Sequence, residues 1–409
     1  MSLRMIRAAS LGALAMPAIL RSGLMFTGPQ ANILTGLLPD LMAGLEVVSR
    51  ELVGIIPVVT RSATMERAAL FQPVTYPKSP SVKTHDNTPA MSVPEPEDHE
   101  FGVGSVMITK SKNANFGFVG EEQRAINTGV GDVTLQAMFF AQALRTIVNE
   151  VEQDLFSAAY VAASRAWGTA GTTPLLTGTT DTANLRRILN ENGAPASPRA
   201  LVIDSMAAAG YLSNPQFNKV NEAGTEVTLR QGEIANVHGF SVHETGANAS
   251  HTKGTGASYT TNTAGYAVGA TDITLITGTG TVKPGDVVTF AGDSNKYVVA
   301  KGIAAPGTIS IGAPGLRQAI PASATAMTVG NSYTGGVAMS SDAMVLAARA
   351  PAMPKEGDAA VDSYLLTDPR SGITFDVRVY LGFGKVRYQV GLAWGWGVPN
   401  PEHMALLLG

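Results

Sequence analysis

The chain has 409 residues, 45% of them hydrophobic and only 15% charged, with a net charge of −3 and no cysteine. That length exceeds what a single core fills, so two or three folded units are expected, and the low charge means that much of the surface need not face water, as in a protein that covers itself with copies of itself. Thiol nucleophiles, thiolate metal sites and disulfides are excluded, and no global attraction to nucleic acid or anionic membrane is implied.

At the start, Arg4 and Arg7 precede the apolar run Leu11–Leu20, which contains Ala13-Leu14-Ala15, a pattern resembling a secretory signal peptide. Pro17 and Arg21 interrupt it, no stretch of about twenty apolar residues exists to span a membrane, and the plainer reading is an N-terminal arm. Over residues 31–52, Leu34, Leu37, Leu38, Leu41, Leu45, Val48 and Leu52 recur at three- and four-residue steps. This predicts an amphipathic helix in need of a surface, with Pro39 kinking it or marking its start. Residues 67–120 are punctuated by Pro73, Pro77, Pro80, Pro89, Pro94 and Pro96 and carry the acidic run Glu95-Pro96-Glu97-Asp98-His99-Glu100. Here we expect a long two-stranded excursion with flanks near 65–76 and 101–112, resting on a neighbouring copy because an isolated hairpin is marginal.

The clearest element covers residues 133–167, where Phe140, Leu144, Ile147, Val148, Val151, Leu155 and Ala158 form one stripe between a cap at Asp132 and a stop at Gly168. A shorter helix is predicted over 182–191, opened by Asp181 and closed by Gly193, then a strand over 200–203 and a small-residue helix over 205–212, together a mixed α+β layer. From about 246 to 336 the composition turns to Thr, Gly, Ala and Ser, with alternating runs at 273–275, 287–290 and 308–311 that read as a small β-barrel or sandwich. Long strands follow at 374–380 and 385–394.

Chemistry-bearing motifs are scarce. Of six histidines (His85, His99, His238, His243, His251 and His403), His238 and His243 fall five apart in a strand-like segment, on opposite faces, which argues against a shared metal. Phosphate-loop, serine-hydrolase and zincin runs are missing, and Gly382-Phe383-Gly384-Lys385 between two strands reads as a hairpin turn. Glu121-Glu122 and the acidic run could supply paired carboxylates or a calcium site, but no histidine network or bend glycine accompanies them. Asn248-Ala249-Ser250 is a three-residue sequon match of a kind that arises by chance. No catalytic, cofactor or metal residues are assigned. Lys78, Lys83, Lys110 and Lys112, with Glu95, Glu97, Asp98 and Glu100 on the same excursion, are the candidates for contact between copies.

The order of these parts resembles the tailed-phage capsid fold named after phage Hong Kong 97. The run Leu229-Arg230-Gln231-Gly232-Glu233-Ile234-Ala235-Asn236-Val237-His238-Gly239-Phe240-Ser241-Val242-His243-Glu244-Thr245 resembles the passage between the peripheral and axial domains of those coat proteins. Trp396-Gly397-Val398-Pro399-Asn400-Pro401-Glu402 is similar to the ending of podophage coat proteins, and Val282-Lys283-Pro284-Gly285-Asp286-Val287-Val288-Thr289-Phe290-Ala291-Gly292 to the lysine-glycine-aspartate strand of their inserted barrel. Residues 32–89 also fit the start of that family, leaving the first thirty as an extension.

The resemblance implies an α+β capsid subunit. Its parts would be an N-terminal arm (1–62), an extended E-loop (63–120), a peripheral domain (121–235) with spine helix 133–167, an axial domain (236–246 and 336–409), and an inserted β-barrel (247–335). It implies a non-enzymatic major capsid protein of a tailed double-stranded DNA phage, forming hexamers and pentamers of an icosahedral shell in the host bacterial cytoplasm. The implied partners are a scaffolding protein, a portal protein at one vertex and DNA held without sequence-specific contacts, with no membrane. The insertion here is less charged than salt-bridging across a two-fold contact would need, and no lysine–asparagine cross-link is expected. An encapsulin-like compartment and a secreted or surface-layer β-rich adhesin are the alternatives.

Overall fold

The computed structural model describes residues 42, 54–62, 66–77, 102–122, 132–218, 236–247, 250–368 and 372–409. The arm helix expected over 31–52 and the tip of the excursion lie outside them. In chain order the described strands and helices begin with β1 (Thr60–Ser62), β2 (Pro73–Pro77), β3 (Val103–Met107), β4 (Lys110–Val119), α1 (Asp132–Ala162) and β5 (Arg165–Gly168). Then come α2 (Thr180–Glu191), β6 (Arg199–Ile203), α3 (Ser205–Ser213), the single turn α4 (Pro215–Asn218), β7 (Ser241–Glu244) and β8 (Ser250–His251). The barrel strands are β9 (Ala257–Thr261), β10 (Asp272–Thr279), β11 (Val287–Phe290), β12 (Lys296–Lys301), β13 (Thr308–Ile311) and β14 (Ala326–Val329). The chain closes with β15 (Tyr333–Ser340), β16 (Val345–Arg349), β17 (Asp362–Thr367), β18 (Thr374–Gly382), β19 (Lys385–Gly397) and β20 (Met404–Leu408).

Helix α1 runs for 31 residues, or about 46 Å at 1.5 Å per residue. Its predicted stripe is buried from Phe140 to Leu155, against Phe375, Val377, Val379, Val390, Leu392 and Trp394 of a six-stranded sheet. That sheet runs β1-β16-β19-β18-β17, with β4 also on β19. Alternation along β18 explains the fit: odd positions are apolar and face the helix, while Asp376, Arg378 and Tyr380 fall on the opposite face. Near the helix start, Phe116, Phe118, Phe139, Phe140 and Tyr388 form an aromatic cluster with centroids 4.8 Å (Phe116–Phe140) to 6.3 Å (Phe118–Tyr388) apart.

The same core continues to the other side of α1 through Ala200, Val202, Val337, Met339, Met404 and Leu406. These belong to a second sheet whose body is β5-β20-β15-β6-β7, with α2 and α3 over its far face through Leu185, Ile188, Leu189, Ala207 and Tyr211. Helix α2 begins at Thr180 rather than 182; Asp181 sits inside its first turn, where it accepts from Trp167 Nε1 (3.1 Å) and Leu175 N (3.0 Å). Its end follows the sequence expectation: Gly193, at φ 78°, donates to Asn190 O while Ala194 N donates to Leu189 O. Asp204 caps α3 by accepting from Ala207 N at 2.9 Å.

One sequence expectation is corrected by strand pairing. The spine helix stops at Ala162, not 167, because Ser164 N and Oγ both donate to Met404 O and Arg165–Gly168 lie parallel to β20. Pairing also crosses the boundary drawn at 235/236, since β6 runs parallel to β7, and it divides the strands after 336 between the two sheets. The barrel closes: β11-β14-β9-β10-β13-β12 returns to β11, enclosing Tyr259, Ile273, Leu275, Val288, Phe290, Tyr297, Ile309 and Ile311.

Since Leu155 is fully buried on the helix between the two sheets, Leu155→Ala should lower unfolding free energy by about 2–5 kcal/mol in chemical denaturation, with no change of secondary structure.

Candidate assembly surfaces

The excursion leaves the body as the hairpin β2–β3, paired from Pro73↔Met107 to Pro77↔Val103. One face, Val74, Tyr76 and Val106, packs on Ala68, Ile108, Val345, Ala347 and Ala393. Its root is fastened several times. Arg67 grips Asp376 with both guanidinium nitrogens (2.7 and 3.1 Å) and donates to Pro351 O (3.0 Å), Phe71 N donates to Ile108 O (2.8 Å), and Thr109 N donates to Trp394 O (3.0 Å). The other face is exposed among the described residues and mostly apolar: Phe71 is 65% exposed, Val103 66% and Met107 50%, with Pro73 and Pro77 beside them and the polar pair Thr75 and Ser105 at its centre. Phe71 also holds φ at 65°, a left-handed conformation uncommon for an aromatic residue.

Of the eight contact candidates, Lys78, Lys83, Glu95, Glu97, Asp98 and Glu100 lie outside the described residues. Lys110 and Lys112 are described, and within this chain they are engaged by the spine helix. Lys110 Nζ donates to Asp154 (2.8 Å) and Glu150 (3.3 Å), and Lys112 Nζ donates to Glu150. Trp394 Nε1 donates to the other oxygen of Asp154 at 3.0 Å. Burial works against the Lys110 charge, but the bonds to Asp154 and Glu150 outweigh it and raise its pKa; burial likewise opposes the Glu150 charge, and Lys112 and Lys110 outweigh it and lower that pKa.

Three further anchors were invisible in the sequence. On the outer sheet face, Arg378 Nε donates to Asp376 (2.7 Å) and Nη1 to Asp358 (2.6 Å), and Tyr380 OH donates to Asp358 (2.6 Å). Where the barrel meets the body, the buried Asp286 accepts from His251 Nε2 (2.7 Å), Lys283 N (2.7 Å) and Gly254 N (3.0 Å), while Tyr333 OH donates to Gly285 O (2.6 Å). The lysine-proline-glycine-aspartate run therefore serves as a turn whose carboxylate is consumed internally. The third anchor is Glu152 of α1, which accepts from Gly54 N (2.6 Å), Ile55 N (2.7 Å), Ile56 N (3.1 Å) and Thr245 Oγ1 (2.8 Å). Burial pushes the Glu152 carboxyl up despite these four donors. The one sequence signal for it is its place four residues after the buried Val148, on the flank of the apolar stripe.

The remaining sequence candidates have local partners. His238 shares a 2.8 Å hydrogen bond with Thr182, His403 one of 2.9 Å with Asp342, and burial lowers the His243 pKa. Glu122 accepts from Val119 N at 3.0 Å, and Phe383-Gly384 form the two-residue turn between β18 and β19. Among the described residues no three His, Cys, Asp or Glu side chains are grouped as metal ligands would be, and no helix is long and apolar enough to cross a membrane.

No protein-family model matches the chain, and neither does any curated protein. Its fold does resemble solved structures. A chain of Mycobacterium phage Che8 aligns with a TM-score of 0.42 and 11% identity, over 85% of this chain and 91% of that one. The capsid of cyanophage P-SCSP1u gives 0.43 and 11%, over 86% of each chain. A virus-like particle from Pyrococcus furiosus gives 0.40 and 12%, over 90% and 98%. Likeness at this level transfers no residue roles.

The Lys110–Lys112–Glu150–Asp154 group generates a pH prediction. Because the folded Glu150 pKa lies below its ordinary value of 4.5, the stability it contributes is present above that value and is lost as pH falls through the depressed one. Between about pH 5 and about pH 3 the melting temperature of a Lys110→Met/Lys112→Met variant should therefore fall less steeply than that of the parent. Parallel melting curves would show no such interaction.

Proposed function

We propose that the chain is the major capsid subunit of a tailed double-stranded DNA phage, built on the Hong Kong 97-like fold and joining copies of itself into a closed icosahedral shell. The observation that carries this reading is the β2–β3 hairpin: its root is bolted to the body by Arg67, Phe71 N and Thr109 N, yet its outer face presents Phe71, Val103 and Met107 to solvent. An excursion with a fastened root whose outer face is exposed and mostly apolar among the described residues is a surface suited to being covered, and the low charge of the whole chain agrees with a protein whose partner is itself. The order hairpin, long spine helix, mixed α+β sheet, inserted barrel and C-terminal strands supports the same reading.

The work of such a subunit is assembly. Wedge-like sheets around α1 set the shape, and the excursion and arm reach across to neighbours in hexamers and pentamers. Redrawn along strand pairing, one unit holds β1, β4 and β16–β19 with α1, and the other holds β5–β7, β15 and β20 with α2 and α3. The barrel is inserted between β7 and β15. Lys78, Lys83, Glu95, Glu97, Asp98, Glu100, Lys110 and Lys112 remain proposed contacts between copies, the last two being also paired with Glu150 and Asp154 within the subunit. The protein resides in the virion capsid after assembly in the host cytoplasm, catalyses no reaction, and encloses DNA without reading it. A scaffolding protein and a portal at one vertex complete the set of partners.

Negative-stain electron microscopy of the full chain, expressed alone and with any small helical protein encoded beside it, should show closed uniform particles or aberrant shells. A stable monomer under both conditions would overturn the proposal, and particles filled with a host enzyme rather than empty would favour an encapsulin-like compartment. Val103→Lys/Met107→Lys, which charges only the exposed face, should leave circular dichroism and melting unchanged while abolishing particles. Replacing residues 78–101 by a short Gly-Ser linker, which spares β2 and β3, should likewise give a folded subunit that does not close shells.

A further inference from the structure

The two sheets meet at one carboxylate. Residues 54–59 lead into β1 at the edge of the six-stranded sheet, Thr245 directly follows β7 at the edge of the second sheet, and Glu152 stands between them on α1. Its oxygens collect the amides of Gly54, Ile55 and Ile56 from the first piece and the Thr245 hydroxyl from the second. The approach is close enough to exclude a side chain at position 54, where a Cβ would lie 2.8 Å from Glu244 O and 2.9 Å from Thr245 Cβ. Ile55 and Ile56 beside it are fully buried, so the three amides have no access to water that could replace the carboxylate. Among the described residues, no other side chain bonds both to the segment before β1 and to the segment after β7.

We infer that Glu152 is the positioning residue that fixes the angle between the two sheets, and through it the curvature at which a second copy of this chain can be joined. This rests on the shell reading above. The reasoning is geometric: the apolar contacts of α1 with each sheet are non-directional and tolerate sliding, whereas four hydrogen bonds converging on one carboxylate do not. A subunit lacking them keeps its cores and loses its angle.

The test uses the full chain carrying Glu152→Gln, which replaces one acceptor oxygen by an NH₂ group facing N–H donors. Circular dichroism should match the parent, amide exchange at residues 54–56 should quicken about tenfold or more, and cryo-electron microscopy should show shells of mixed diameter or open sheets where the parent gives one size. Thr245→Val, which deletes a single donor, should shift both readouts in the same direction, and Thr245→Ser, which keeps the hydroxyl, should restore the parent's. Should Glu152→Gln fail to fold, the Thr245 pair decides the matter by the same two measurements. Unchanged exchange would sink the latch. Fast exchange with shells of parental size would sink the link to curvature, and a parent that forms no shells would overturn the shell reading itself and this inference with it.

Discussion

The burial of α1 between two sheets is the constraint from which the rest of the structure follows. Phe140, Leu144, Ile147, Val151 and Leu155 are all essentially inaccessible, and at about 1.5–3 kcal/mol for each fully buried large apolar side chain this one helix anchors both cores. Several of its polar side chains secure other parts of the chain. Glu150 and Asp154, one turn apart, face β4 and hold the strand that follows the excursion. Glu152 lies on the other side and holds the root of the arm. Tyr160, a further two turns along, lies 5.8 Å, ring to ring, from His251 at the barrel joint. A helix that touched only one sheet could not place all of these groups.

Low charge and the absence of cysteine take on meaning against that framework. With no disulfides available, the excursion and the barrel are fixed by polar groups spent internally: Arg67 and Arg378 share Asp376, and Asp286 is saturated by an imidazole and two amides. Lys110 and Lys112, read from the sequence as candidates for contact between copies, also pair with Asp154 and Glu150 of their own subunit while staying partly exposed. The described hairpin strands carry no charge, and their outer face is mostly apolar.

What was legible in the sequence was whatever depends on local periodicity. The stripe of α1, the alternation of β18 and β19, the barrel strands and the Gly193 stop all follow from spacing along the chain. Pairing partners did not follow from it. Arg165–Gly168 reads as the tail of a helix because Arg, Ala and Trp suit one, and the edges of β20 and β12, both more than a hundred residues away, pull it into a strand. For the same reason β6 and β7 fell into different expected domains although they are hydrogen-bonded neighbours. Glu152 and Asp286 were missed because each looks like an ordinary acidic residue until the donors arrive from distant segments.

The barrel illustrates how a closed module can be attached without becoming a loose appendage. A six-stranded ring has no free edge to offer, yet β12, paired with β11 along one edge and with β13 along the other, extends that second edge at Lys296 and Tyr297 to β5. Arg165, opposite Tyr297 in that pairing, reaches Asn295 of the barrel with one nitrogen and the end of α2 with another, at Asn192 and Ile188 O. His251 and Tyr333 hold the second point of attachment through Asp286 and Gly285. Two separated attachments remove the rotation that a single tether would leave, so the barrel moves with the sheet of β5 and β20. The insertion therefore keeps a fixed direction relative to the body.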